Sequence, residues 1–143
     1  YDQVLWLDAS EHKYIQEVGT MNIFFKIDGK IITPKKDGAI LDGITRMSVI
    51  ELLKYKGYQV TERQITIDEI EEASNNDTLE DAFGTGTAVG IAYIREIGMN
   101  HKTIHVSHEN PVGLDINNTL NAIKTGKMED PFDWMVTINS HYD

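Results

Sequence analysis

Two glycines and two threonines interrupt a strand-like run at Phe83-Gly84-Thr85-Gly86-Thr87-Ala88, and this stretch constrains the fold more than any other. The residues from Asp81 to Ile94 otherwise read as strand. A glycine inside a strand pattern marks a bulge, or a place where something comes close to the backbone. Two alternating glycines leave N–H groups free to aim at one spot, which suits an anion, and the threonine hydroxyls add donors. An ordinary tight turn is the competing reading. Two upstream segments are its companions, Glu17-Val18-Gly19-Thr20-Met21-Asn22 and Gly43-Ile44-Thr45-Arg46.

At 143 residues, with no linker, repeat or low-complexity run, the sequence reads as one domain spanning positions 1–143. No apolar run approaches the roughly 20 residues that cross a membrane, and no signal-peptide pattern opens the chain. The absence of cysteine rules out disulfides, thiol catalysis and thiolate-bound zinc within these residues. A formal charge of −10 argues against nucleic acid as a partner, because phosphate backbones call for a basic patch. A cytoplasmic enzyme or binding domain acting on small molecules is the expectation. Gln3 to Leu7 reads as an interior strand that starts almost at the first residue, so an earlier part of a longer protein is expected to precede it.

Periodicity predicts an α+β fold with a mixed sheet or barrel. Val4 to Leu7 reads as a buried strand, Lys13 to Val18 as a second and Met21 to Ile27 as a third. Asp28-Gly29 signals a hairpin turn into a strand over Lys30 to Thr33, and Pro34 to Gly38 reads as loop. Ile44, Met47, Ile50 and Leu53, widened by Val49 and Leu52, predict an amphipathic helix that Gly57 stops. Tyr58 to Ile65 reads as strand. Thr66 with Glu69 matches a capping box opening a short acidic helix to about Asn75. A strand over Thr103 to Val106, a helix over Asp115 to Thr125 and an extended Trp134 to Ile138 complete the pattern.

Glu17 sits between Ile15 and Val18 at a strand end, just ahead of a glycine. It is either an exposed strand-end carboxylate or an inward acceptor for a cationic ligand group, since a buried carboxylate needs a partner. Gly43-Ile44-Thr45 opens a helix whose first free N–H groups form a standing anion site, unless the glycine serves only as helix entry. Together these suggest a ligand with a phosphate at one end and a basic nitrogen at the other. Arg46 reads as a surface or salt-bridging residue. His101, His105 and His108 would align only on a helix, whereas Lys102 to Val106 reads as strand, so no metal site is expected.

Glu17-Val-Gly-Thr-Met-Asn-Ile-Phe24, Gly43-Ile-Thr-Arg46 and Gly84-Thr-Gly-Thr-Ala88 resemble three signature segments of the branched-chain amino acid aminotransferases, pyridoxal-phosphate enzymes of fold type IV. Tyr1-Asp-Gln-Val-Leu-Trp-Leu-Asp8, Val60-Thr-Glu-Arg63 and Trp134 fit in order, so the resemblance covers essentially the whole chain. Related D-amino acid aminotransferases and aminodeoxychorismate lyases keep the glutamate but usually lack the Val-Gly-Thr-Met-Asn continuation.

The resemblance implies that Glu17 pairs with the pyridine nitrogen of pyridoxal 5′-phosphate. It implies that Ile44 and Thr45 give backbone N–H groups to the cofactor phosphate, with a hydroxyl from Thr87. Thr20, Thr87 and Ala88 would meet the substrate carboxylate. It further implies leucine, isoleucine or valine with 2-oxoglutarate as substrates, and a homodimer. The family's Schiff-base lysine lies upstream of the Tyr1 to Asp8 segment, so these residues contain no catalytic base. They are expected to be the C-terminal part of the cofactor domain, inactive alone and binding the cofactor weakly or not at all. A non-catalytic phosphate-ligand module and another fold-type-IV activity are the alternatives. Asp42 stands where the family usually has proline, and Val89 and Ala92 replace the redox cysteine pair of some animal members.

Overall fold

The computed structural model describes residues 4–19, 21–35, 44–86, 90–99, 102–107 and 111–127. In chain order the elements are β1 (Leu5–Leu7), β2 (Ile15–Val18), β3 (Met21–Ile27), β4 (Lys30–Thr33), α1 (Ile44–Tyr55) and β5 (Val60–Glu62). They continue as α2 (Ile67–Asn75), β6 (Leu79–Gly86), β7 (Gly90–Tyr93), β8 (Glu96–Met99), β9 (Lys102–His105) and α3 (Pro111–Lys124).

β3 is the hub of a mixed seven-stranded sheet. On one edge it pairs antiparallel with β2 at its start (Glu17↔Asn22, Val18↔Met21) and with β4 at its end (Phe25↔Ile32 to Ile27↔Lys30). β6 runs antiparallel along the other edge, from Asn22↔Thr85 to Ile27↔Leu79. β1 extends the sheet beyond β2, β7 lies outside β6, and β5 lies parallel to β4. β2 leaves β3 after two pairs and bonds onward, with the Ile15 amide donating to the Ile65 carbonyl at 2.8 Å and Tyr14 bridging Thr66. β2 thus links β3 to the segment at Ile65 and Thr66.

Alternation along the strands divides the core in two. Ile23 and Phe25 of β3 join Ile15, Val18, Met21 and Ile70 on the face covered by α2. Phe24 and Phe83, stacked at 5.2 Å, join Ile91 and the apolar sides of α1 and α3 on the opposite face. Local signals behave as the sequence predicts. Asp28 (φ 50°) and Gly29 (φ 78°) make the left-handed turn between β3 and β4. Thr66 caps α2 by accepting the Glu69 amide at 3.1 Å.

A buried carboxylate ties α3 to the sheet. Asp81 Oδ2 accepts the amides of Val112 (2.9 Å) and Gly113 (2.8 Å), and Oδ1 accepts that of Ala82 (2.8 Å). The first turn of α3 thus rests its free N–H groups on an anion planted in β6.

Several expectations are corrected. The run from Asp81 to Ile94 is a hairpin, β6 and β7, paired from Phe83↔Tyr93 to Gly86↔Gly90. The opening strand is one-sided: Leu5 and Leu7 pack against the core, while Val4 and Trp6 are 59% and 53% accessible because β1 lies at the sheet margin. Met47 faces out from α1 while Arg46 faces in, so the buried stripe runs through Arg46, Val49, Ile50, Leu52 and Leu53. The strands expected over Lys13 to Val18 and Tyr58 to Ile65 shrink to Ile15–Val18 and Val60–Glu62. The Thr103 to Val106 strand is Lys102–His105, paired with β8, which the sequence reading missed. The last helix begins earlier, at Pro111. Trp134 to Ile138 lies outside the described residues.

Candidate functional site

Strand pairing gathers polar side chains at one end of the sheet, where β2, β4, β5 and β6 finish and β3 and β7 begin. Glu17 is directly opposite Asn22 across β2 and β3, and Asn22 is directly opposite Thr85 across β3 and β6. Directly paired residues project from the same face of a sheet. Asn22 and Phe24 alternate along β3, and Thr85 and Phe83 along β6, so the row Glu17, Asn22, Thr85 lies on the face that α1 and α3 cover. Glu17 is half-buried, between the exposed and inward readings of its sequence position. Asn22 is 5% and Thr85 1% accessible, and the Thr85 hydroxyl has no hydrogen-bond partner among the described residues.

The turn between β2 and β3 explains why this row forms. Gly19 adopts φ 58°, a left-handed conformation that glycine takes at little cost, and its amide donates to the Val4 carbonyl at 2.6 Å. Only Gly19 and Thr20 separate the paired Val18 and Met21, which fixes the register and sets Glu17 against Asn22.

The helix α1 begins at the same end. It forms the crossover between parallel β4 and β5, and such a crossover returns the helix start to the ends at which its strands finish. Arg46 confirms the placement. Its Nη2 donates to the Pro34 carbonyl (3.0 Å), just past β4, and to Glu62 Oε1 (2.7 Å), the last residue of β5. The first turn of α1, with Ile44 and Thr45, carries no acidic residue to compensate its free N–H groups. Thr45 is half-buried. An anion at this turn and a cation at Glu17 would therefore lie at one end of one face.

Two expectations change. Gly84 and Thr85 are not loop residues; they sit in β6 between the ladders to β3 and β7, and Gly86 ends the strand, paired with Gly90 of β7 alone. What approaches their backbone is Met21. A Cβ on Gly84 would meet Met21 Sδ at 3.2 Å and Val18 Cγ1 at 3.1 Å, and one on Gly86 would meet Met21 Cγ at 3.1 Å. Arg46 is not a surface residue; it is salt-bridging and 3% accessible. Thr20, Thr87 and Ala88 lie outside the described residues. His105 is exposed on β9, 3.9 Å from Glu96 Oε2, while His101 and His108 also fall outside. Among the described residues no group of three acidic or histidine side chains could hold a metal.

The donor set fits pyridoxal phosphate. It offers a carboxylate for a protonated ring nitrogen, a helix start for a phosphate and an orphaned buried hydroxyl, Thr85, in the same polar row. No charge of the wrong sign stands in the first turn of α1.

Comparison with known proteins agrees. Branched-chain-amino-acid aminotransferase 2 of Bacillus subtilis is 46% identical over 140 residues, covering 96% of this chain and 39% of the relative. The crystal structure of the Escherichia coli branched-chain amino acid aminotransferase matches with a TM-score of 0.81 at 29% identity, over 98% of this chain and 44% of that one. The branched-chain amino acid aminotransferase of Thermobaculum terrenum, in its PLP form, matches with a TM-score of 0.73 at 25% identity, over 90% and 39%. The chain thus spans about two-fifths of the length of the curated relatives it matches, 39% for the Bacillus subtilis protein. The amino-transferase class IV family matches residues 1–97, the part that holds every residue of the polar row, and this chain belongs to that family.

Proposed function

We propose that these residues are the C-terminal part of the cofactor domain of a pyridoxal-phosphate-dependent branched-chain aminotransferase. The whole protein moves an amino group between leucine, isoleucine or valine and 2-oxoglutarate, as a cytoplasmic homodimer. The observation that carries this reading is that Glu17 and the start of α1 lie towards the same end of one sheet face. The names of the relatives support the branched-chain substrates over the D-amino acid and aminodeoxychorismate alternatives.

Bound pyridoxal phosphate supplies an electron-withdrawing ring that accepts the electrons released when the amino acid loses its α-proton. Glu17 holds a proton at the ring nitrogen, because a carboxylate beside that nitrogen favours its charged form. Asn22, directly opposite, is placed to orient that carboxylate from β3. The first-turn amides of Ile44 and Thr45 would hold the phosphate. Thr87 adds a hydroxyl there, and Thr20 and Ala88 receive the substrate carboxylate, following the family pattern. By the family pattern the proton-transfer base is a lysine that these residues do not supply, so the 143 residues alone are expected to transfer no amino group.

The test is donor profiling of the full-length protein loaded with pyridoxal phosphate. The expected result is a visible cofactor band and rapid transfer from leucine, isoleucine and valine to 2-oxoglutarate. Preference for D-alanine, or release of pyruvate from aminodeoxychorismate, would transfer the assignment to a sister activity. Binding of phosphate compounds without any visible band would favour the non-catalytic module.

A further inference from the structure

Arg46 is buried one residue beyond the proposed phosphate turn, and nothing in the mechanism above uses it. Burying a guanidinium is costly unless it is paired and hydrogen-bonded. Here one nitrogen, Nη2, joins three separate pieces of chain: the start of α1, the Pro34 carbonyl beyond β4 and the Glu62 carboxylate at the end of β5. Thr33 and Glu62 are themselves paired across the parallel strands, so the arginine reaches both strand ends at one level. Among the described residues the buried Nε–H has no partner. An arginine that served packing alone would be replaceable by an apolar side chain, with one fewer buried donor to satisfy.

We propose that Arg46 is a positioning residue for phosphate. It clasps the first turn of α1 to the ends of β4 and β5, and so sets the direction in which the Ile44 and Thr45 amides point. A helix held only by Val49, Ile50, Leu52 and Leu53 is fixed at its middle, and its first turn is free to fray. The Arg46 clasp stops that fraying from the side of the sheet. The cation also stands within a turn of the anion's seat, where it adds attraction in a water-poor setting. Glu62 keeps the guanidinium in place and, at 42% side-chain accessibility, is the half of the pair that faces water.

This inference rests on the pyridoxal-phosphate reading, and the experiment separates the two. Full-length apoprotein, as wild type, Arg46→Met, Arg46→Lys and Glu62→Gln, is titrated with pyridoxal phosphate and with pyridoxal, which lacks the phosphate. Melting curves are recorded in parallel. If the wild type binds neither compound, the cofactor reading fails, and this inference falls with it. If the wild type binds both, the clasp predicts about tenfold weaker pyridoxal phosphate binding by Arg46→Met, with pyridoxal affinity kept within about twofold. Arg46→Lys should recover part of the loss, because it restores the charge without the planar guanidinium geometry that carries Nη2 to both partners. Glu62→Gln should lose less than Arg46→Met, again only for the phosphate compound. Equal weakening of both compounds, or no change in either, would overturn the proposal. Should Arg46→Met fail to fold, Glu62→Gln decides by the same phosphate selectivity.

Discussion

Glu17 and Thr85 stand in one cross-strand row, separated only by Asn22. The row joins the half-buried end of β2 to the centre of the sheet, so a charge at Glu17 is backed by buried polar groups and not by apolar core. Such a site holds an ionised carboxylate beside an apolar layer at tolerable cost, because its neighbours can hydrogen-bond.

Glu17→Gln should therefore harm turnover far more than folding. The amide is isosteric and hydrogen-bonds well at a half-buried strand end, but it no longer favours a protonated ring nitrogen. A charge-assisted hydrogen bond contributes about 1.5–3 kcal/mol, and about 1.4 kcal/mol is one decade in rate. In the full-length protein kcat should fall at least about tenfold, with the melting temperature nearly unchanged. Wild-type turnover with cofactor bound would return Glu17 to an ordinary strand-end carboxylate.

Gly86→Ala tests the close approach of Met21. The added Cβ would stand 3.1 Å from Met21 Cγ and 3.9 Å from its Cβ. Overpacking of this kind costs about 1–3 kcal/mol. Shortening the neighbour removes the clash, so the Met21→Ala, Gly86→Ala double variant should be more stable than the sum of the single changes implies. Denaturant melts of the four proteins measure the coupling. Strict additivity would mean that the glycine answers to something other than Met21.

The sequence exposes the parts of this architecture that depend on neighbours in the chain. Asp28-Gly29 and the Thr66–Glu69 cap act within a few residues, and both form as expected. The register of Glu17 against Asn22 is also readable, because only a two-residue turn lies between their strands. The rest depends on pairing between distant segments. Glycines in a strand run announce a close approach, but the identity of the visitor, Met21, follows only from the β3–β6 pairing. Arg46 reads as a surface or salt-bridging residue, and only the β4–α1–β5 crossover, which puts Pro34 and Glu62 beside it, decides between the two. Strand β8 carries a charge and a glycine in four residues, too little apolar alternation to be read locally.

Acid should leave the Asp8 carboxylate ionised longer than its neighbours. It accepts the amides of Tyr14, Lys13 and Glu11 and the Ser10 hydroxyl, all within 3.0 Å. The Tyr14 amide first, then those of Glu11 and Lys13, hold it well below the usual carboxylate range against some burial that raises it. A carboxyl depressed on folding contributes stability that is complete above its unfolded value and is lost as pH falls through the folded one. The Asp8 to Tyr14 loop should thus keep its form as the pH falls through the usual carboxylate range. Carboxyl carbon shifts followed by NMR check this; titration of Asp8 alongside the other aspartates would contradict it.

Asp81→Asn should be the most damaging isosteric change among the described polar residues. The wild-type carboxylate offers two oxygens, one to Ala82 and one to the paired amides of Val112 and Gly113. An asparagine has a single carbonyl oxygen. Whichever way it turns, its NH2 group meets a backbone N–H, and at least one buried donor loses its acceptor. The loss of a charge-assisted bond at a helix start, with a donor left unsatisfied, costs about 2–4 kcal/mol. Moving α3 to relieve the contact is not an easy escape. A Cβ at Gly113 would already lie 3.2 Å from the Tyr93 ring and 3.4 Å from Phe83 Cβ, so the helix start sits tight against β6 and β7. Denaturation of the full-length protein should show the loss as a lower midpoint, and hydrogen exchange should quicken first at Val112 and Gly113. A midpoint within error of wild type, with both amides still protected, would show that α3 is held by its apolar contacts with Phe83 and Ile91 and not by the buried anion.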